Sequence, residues 1–218
     1  DVIDGGAGTD TLNVTAAVAT ASQVTNVETL TSSLTAANQD MDPFSATTIT
    51  TITSSGTGAA VGYTDIGTGI TKYNITGAAP TTATLTFKAT DGLSDASPTI
   101  SIGRTGNITV TDLSVTTYET ITINSGGGGT ATAYTNTLTN ISNDAATTMT
   151  LTGARPLVIT DSDSTALTTV DASAMTGAFT LTTNAATGAG TYTGGSGSDT
   201  ITGSNAAAGD TITTNGGN

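Results

Sequence analysis

Asp1-Val2-Ile3-Asp4-Gly5-Gly6-Ala7-Gly8-Thr9-Asp10-Thr11-Leu12-Asn13 carries the pattern G-G-x-G-x-D-x-U-x, with U apolar, from Gly5 to Asn13. Gly194-Gly195-Ser196-Gly197-Ser198-Asp199-Thr200-Ile201-Thr202 repeats it at the other end, and both copies fill all five defined positions. The six residues up to Asp form a tight turn, and x-U-x forms a short strand. Glycine takes φ values that other residues resist, and lets backbone carbonyls approach a ligand closely. Carbonyls and short carboxylates together suit a hard cation that takes six to eight oxygens, which is calcium. In a parallel roll of such units each ion lies between successive turns, so a complete site needs neighbouring repeats.

The phase of the pattern extends past the two full copies. Asp1 stands nine residues before Asp10, and Val2-Ile3 reads as the strand of a preceding copy. Asp210-Thr211-Ile212-Thr213 reads as a third D-x-U-x strand, with extra residues in the turn from Gly203 to Gly209. Gly216-Gly217 starts another copy. Both ends therefore read as lying inside repeat arrays, and the chain is expected to be a piece of a longer protein.

Composition narrows the rest. The 218 residues hold 17 acids, 4 Lys and Arg, no His and no Cys, for a formal net charge of −13. Only Glu28 and Glu119 are Glu; the other acids are Asp, which favours turns and hard cations. So few basic residues argue against nucleic acid and anionic membranes as partners. Self-repulsion on this scale is relieved by divalent cations, so calcium-coupled folding is expected. The absence of Cys excludes disulfides and thiolate metal sites. These 218 residues show no signal peptide, long apolar run or lipidation box, which says nothing of the export signal of a longer protein.

Catalysis has little to stand on. The usual general base and thiol nucleophile are missing, Trp is absent and aromatic content is 4%. The chain is read as a non-enzyme. Sequons at Asn13, Asn74, Asn107 and Asn140 are expected by chance in so Thr-rich a chain.

Thr makes up roughly a quarter of the residues, and it favours strands while its hydroxyl tolerates water. Period-two alternation predicts strands near Val24–Thr31, Thr47–Thr53, Gly69–Thr76, Ala83–Ala89, Pro98–Ile102 and Ile108–Thr111. Further strands are predicted near Tyr118–Asn124, Thr135–Asn140, Met149–Thr152, Leu157–Thr160, Thr168–Val170, Ala178–Thr183 and Thr200–Thr202. One short helix is expected near Ala16–Val24. Asn26-Val27-Glu28-Thr29-Leu30-Thr31 echoes Tyr118-Glu119-Thr120-Ile121-Thr122, and the strand pairs recur at roughly twenty residues, as stacked solenoid coils would. An antiparallel sandwich spaces its strands similarly, but tight hairpin signals such as Asn-Gly are scarce. The fold class expected is all-β, a parallel β-solenoid or β-helix-like stack flanked by β-roll segments. The divisions are 1–15, the end of one repeat array; 16–190, a Thr-rich solenoid; and 191–218, the start of a second array.

The flanking nonapeptides resemble the repeats-in-toxin (RTX) family. Val24-Thr25-Asn26-Val27-Glu28-Thr29-Leu30 and Leu167-Thr168-Thr169-Val170-Asp171-Ala172-Ser173-Ala174-Met175-Thr176-Gly177 are similar to segments of RTX-type bacterial surface-layer (S-layer) proteins. The resemblance implies calcium-dependent folding outside the cell, type I secretion and self-assembly into a lattice at the bacterial surface. Self is then the partner, with cell-surface polysaccharide as a second candidate and no membrane insertion. The family's metal positions fall on Gly5, Gly6, Gly8 and Asp10, and on Gly194, Gly195, Gly197 and Asp199. Here the arrays are short and interrupted. The alternative is an RTX adhesin that binds ice or carbohydrate. Flat Thr ladders could order water at ice, and Thr47–Thr53 suggests one, but an ice-binding face is expected to need regular T-x-T ranks on coils of constant length, and these coils vary.

Other acids offer weaker candidates. Asp1 and Asp210 extend the calcium reading by phase. Asp161-Ser162-Asp163-Ser164 places two carboxylates in a turn, either as calcium ligands or as a solvated Asx turn. Asp40 with Asp42, and Asp91 with Asp95, pose the same pair of readings. Asp171 is expected to close a turn. The five Tyr residues read as packing or interface groups.

Overall fold

The computed structural model describes residues 1–44, 48–56, 60–67, 69–77, 84–89, 97–103, 106–126, 134–143, 145–183, 188–204 and 209–216. The chain alternates between two sheets. One contains β2 (Thr11–Val14), β4 (Thr29–Ser32), β6 (Thr51–Ser54), β8 (Lys72–Ile75), β10 (Thr99–Ile102), β12 (Thr120–Ser125), β14 (Thr148–Gly153), β16 (Thr169–Met175), β18 (Thr191–Thr193) and β20 (Thr211–Thr213), in that spatial order. The other contains β5 (Ala36–Asp40), β7 (Ala60–Ile66), β9 (Thr84–Ala89), β11 (Ile108–Thr116), β13 (Asn136–Ser142), β15 (Leu157–Ser162), β17 (Phe179–Thr182) and β19 (Thr200–Thr202). A two-stranded sheet joins β1 (Val2–Asp4) to β3 (Gln23–Thr25). Every pairing is parallel. The fold is a parallel β-solenoid, as the recurrence of strand pairs predicts, and the antiparallel sandwich is excluded. The ten-stranded sheet runs on across residues 15–16 and 190–191, and the eight-stranded sheet runs on across 190–191. Among the described residues the only helix is a 3-10 turn, Asp42–Phe44, and no helix is long and apolar enough to cross a membrane.

The core follows from alternation. In β4, β6, β10 and β12 the apolar residues point inward, joined at three strand ends by the buried Ser32, Ser54 and Ser125, while Thr, Ser101 and Asn124 point outward. Parallel stacking then places like on like. Leu30, Ile52, Tyr73, Ile100 and Ile123 form one fully buried inner column. Each such side chain contributes roughly 1.5–3 kcal/mol of burial. Between the sheets, Phe87 stacks on Tyr63 and Tyr73 at centroid distances of 5.3 and 4.3 Å, and the Tyr73 and Tyr118 hydroxyls hydrogen-bond. Arg155 is also buried, its guanidinium under the Tyr134 ring.

Coil length varies while register holds except for shifts between Thr150 and Thr152 and between Tyr63 and Ile66. Thr11 lies opposite Thr29, 18 residues on, whereas Thr120 lies opposite Thr148, 28 residues on. The extra residues sit in the connections between strands.

The structure departs from expectation in places. Ala16–Val24 forms no helix; it is a bend and turn that leads into β3. The single strand expected over Val24–Thr31 is two, because Asn26 takes φ 50° and turns the chain from one sheet to another. Asn tolerates that left-handed conformation better than most residues. β5, β7 and β18 were not predicted. The inward positions of β5 are Ala37 and Gln39, so it carries no apolar alternation. Gln39 is wholly buried, accepts from the Val18 N–H at 2.7 Å and donates to the Val18 carbonyl at 3.3 Å. It thereby supplies the pairing that a neighbouring strand would have given.

Candidate functional site

The first glycine turn lies between β1 and β2. Gly6 and Gly8 have φ of +90° and +131°, a region that residues with a Cβ rarely adopt. Gly5 donates to the Thr25 carbonyl at 3.0 Å, and a Cβ there would lie 1.9 Å from the Asn26 carbonyl oxygen. The turn therefore stacks directly on the corner of the next coil. Asp4 accepts from the Gly6 N–H and the Asn26 amide at 3.0 and 2.7 Å, and the Asn26 bond leads in lowering its pKa below the usual carboxylate range. Asp10 donates its N–H to Glu28 at 2.7 Å, and its carbonyl accepts from the Glu28 and Thr29 N–H groups. Its Oδ2 is buried with no hydrogen-bond partner. Asp1 contributes its backbone carbonyl to the Gln23 N–H.

The second turn lies between β18 and β19 and is built differently. None of Gly194, Gly195 and Gly197 has a left-handed φ. Close approach fixes them instead: a Cβ on Gly195 would meet the Met175 carbonyl at 2.4 Å, and one on Gly197 would meet Gly177 at 2.6 Å. Asp199 accepts from the Phe179 N–H at 3.0 Å and, with its other oxygen, from the Gly195 N–H at 2.7 Å. Asp210 repeats this, accepting from Gly190 at 2.8 Å and Ser204 at 2.6 Å. The Gly190 bond is the main cause that lowers its pKa.

Asp199, Asp210 and Glu28 thus share a device. Each stands just before a strand and accepts a backbone N–H from the preceding coil: Phe179, Gly190 and Asp10 respectively. Carboxylate acceptors make strong hydrogen bonds, so these side chains staple coil to coil.

The remaining acids separate into two kinds. Asp40 accepts from the Asp42 N–H at 2.9 Å, and Asp171 from the Ser173 N–H at 2.9 Å. Both are Asx turns, and for Asp171 the turn is what the sequence predicts. Asp163 instead accepts from the Asn140 amide at 2.9 Å, which also donates to Asp112 at 3.2 Å, while Ser142 donates to Asp112 at 2.6 Å. Asp161 follows Asn140 in register, and its side chain lies outside the described residues, as do Asp91 and Asp95. Asp112 and Asn140 were missed by sequence reasoning. They stand 28 residues apart and meet only once the coils are aligned.

Comparison with protein-family models, with curated proteins and with solved structures finds no match. The case for a ligand therefore stands on geometry. Among the described residues no three acidic side chains converge, so any calcium would take most of its oxygens from backbone carbonyls, as the nonapeptide spelling requires. The first turn offers a left-handed glycine loop, stacked through Gly5 on the next coil, beside a buried carboxylate oxygen with no partner; the Thr25 and Asp10 carbonyls next to it each accept backbone N–H bonds. At the second turn both Asp199 oxygens already accept N–H bonds. A carboxylate has about four lone-pair positions, which leaves room for a cation without requiring one.

Proposed function

We propose that this chain is a structural, calcium-coupled segment of a bacterial extracellular surface layer, secreted and self-assembling, with no catalytic role. The observation that carries the reading is the turn from Gly5 to Asp10, where Gly5 packs on the corner of the next coil, Gly6 and Gly8 are left-handed and the buried Asp10 Oδ2 has no partner. The net charge of −13 supports it, because cations would relieve repulsion both within the chain and between copies. Gly5, Gly6, Gly8 and Asp10 would hold the ion, and bound calcium would tie the first two coils together.

The test is calcium titration followed by circular dichroism and light scattering, with electron microscopy of the longer protein. Chelation is expected to loosen the terminal coils, and calcium to bring ordered self-association of the longer protein. The same β signal and melting temperature in chelator and in millimolar calcium would sink the calcium reading. Strictly monomeric particles of the longer protein in both conditions would sink the lattice.

A further inference from the structure

The outer face of the ten-stranded sheet is a two-dimensional array. Through ten paired strands one outward column runs from Thr11 to Thr213, and eight of its members are Thr; Lys72 and Asp171 are the others. The column two residues on holds Asn13, Thr31, Thr53, Asn74, Ser101 and Asn124, and then Thr152. A third column opens on the other side, with Thr at all five positions from Thr120 to Thr211. Unequal coil lengths do not disturb the ranks, because the connections take up the difference. The T-x-T order is complete on six of the ten strands and broken on β2, β8, β10 and β16, by residue type and not by coil length.

We propose that this face binds ice. Strand geometry spaces the hydroxyls at about 4.8 Å between ranks and about 6.7 Å along a strand. Both distances are of the size of the water-oxygen repeats on the prism faces of hexagonal ice, so runs of a few ranks stay in step with that lattice. Nine rank spacings give an array about 43 Å long. Threonine is stiff at χ1, so its methyl and hydroxyl stay in place without further ordering cost. Charge is sparse inside the array: a chain of net −13 places one acid and one lysine in these columns, while Asp10, Glu28, Glu119 and Asp210 stand just before its strands, at the rim. The opposite face is an internal contrast. There Asp112, Asn140, Ser142 and Asp163 form one connected hydrogen-bonded cluster, whereas on the array such bonds are isolated pairs: Asn74 to Thr53 at 3.3 Å, Asn124 to Thr152 at 2.8 Å and Thr50 with Thr51 at 3.4 Å. The proposal does not depend on the calcium reading; calcium enters only as a folding condition.

The experiment uses the whole chain in calcium, with folding checked by circular dichroism. Ice-crystal shaping, thermal hysteresis and partition into slowly grown ice are measured for the wild type, for Thr31→Tyr with Thr53→Tyr on the array, and for Thr137→Tyr with Thr180→Tyr on the opposite sheet. The wild type is expected to shape ice and to enrich in it several-fold over a non-binding protein. The array variant should lose at least tenfold of the hysteresis, and the opposite variant should keep it. A folded wild type that leaves ice unshaped and stays in the liquid overturns the proposal, whatever the variants do. Equal loss in both variants, or binding to cell-surface polysaccharide without ice shaping, overturns it as well.

Discussion

Asp10 and Asp199 occupy the same position of the same nine-residue pattern and have different surroundings. Asp10 keeps a buried oxygen without a partner, while Asp199 holds two backbone N–H groups, one from its own turn and one from the preceding coil. Their replacements should therefore behave differently. Asp10→Ala is expected to lower calcium affinity and to matter little in chelator. Asp199→Ala strands the Phe179 and Gly195 amides and should cost about 2 kcal/mol with or without calcium. Hydrogen exchange resolves the two: Phe179 should lose protection in Asp199→Ala even under chelation, and retention of that protection would refute the staple. The glycine spelling was legible as a turn. It could not reveal that one copy needs glycine for φ and the other for close approach, because that depends on which coil lies beneath.

At the scale of elements, strands were readable wherever apolar residues alternated with Thr, as in Thr120-Ile121-Thr122-Ile123 and Thr200-Ile201-Thr202. β5 was not readable, because Ala37 and Gln39 are what it turns inward. Burying Gln39 is tolerable only because its amide pairs with both backbone groups of Val18. Gln39→Leu keeps the volume and removes the pairing, so it should destabilise the chain by about 2 kcal/mol despite the gain in apolar character. Urea unfolding measures this; an unchanged midpoint would mean that the Val18 segment is not held from β5. The acid ladder of Asp112, Asn140 and Asp163 escaped notice for a related reason. Sequence gives spacing along the chain, whereas these residues meet across it.

For the whole molecule, acid offers a global probe. The Asp10 N–H holds the Glu28 carboxyl below the usual carboxylate range, and the Gly190 N–H does the same for Asp210. A carboxyl with a depressed folded-state pKa contributes stability that is present above its unfolded value and is lost as pH falls through the folded one. The coils should thus weaken below about pH 4, with little change between pH 6 and 8. Melting temperature against pH checks this, and a flat profile down to about pH 3 would exclude carboxylate staples as a contributor.

Because all strands pair side by side in parallel, the ladder hydrogen bonds run along the stack while the chain runs across it. Tension applied to the two ends of the chain would load those bonds a rank at a time, as a zip is opened, instead of shearing many together. Each coil of 18 to 28 residues would then release roughly 60 to 100 Å of slack. Single-molecule stretching should show a staircase of small, unequal steps, where one large rupture would mean that the coils yield together. A wall built of such units would give under strain in instalments and recover by re-stacking.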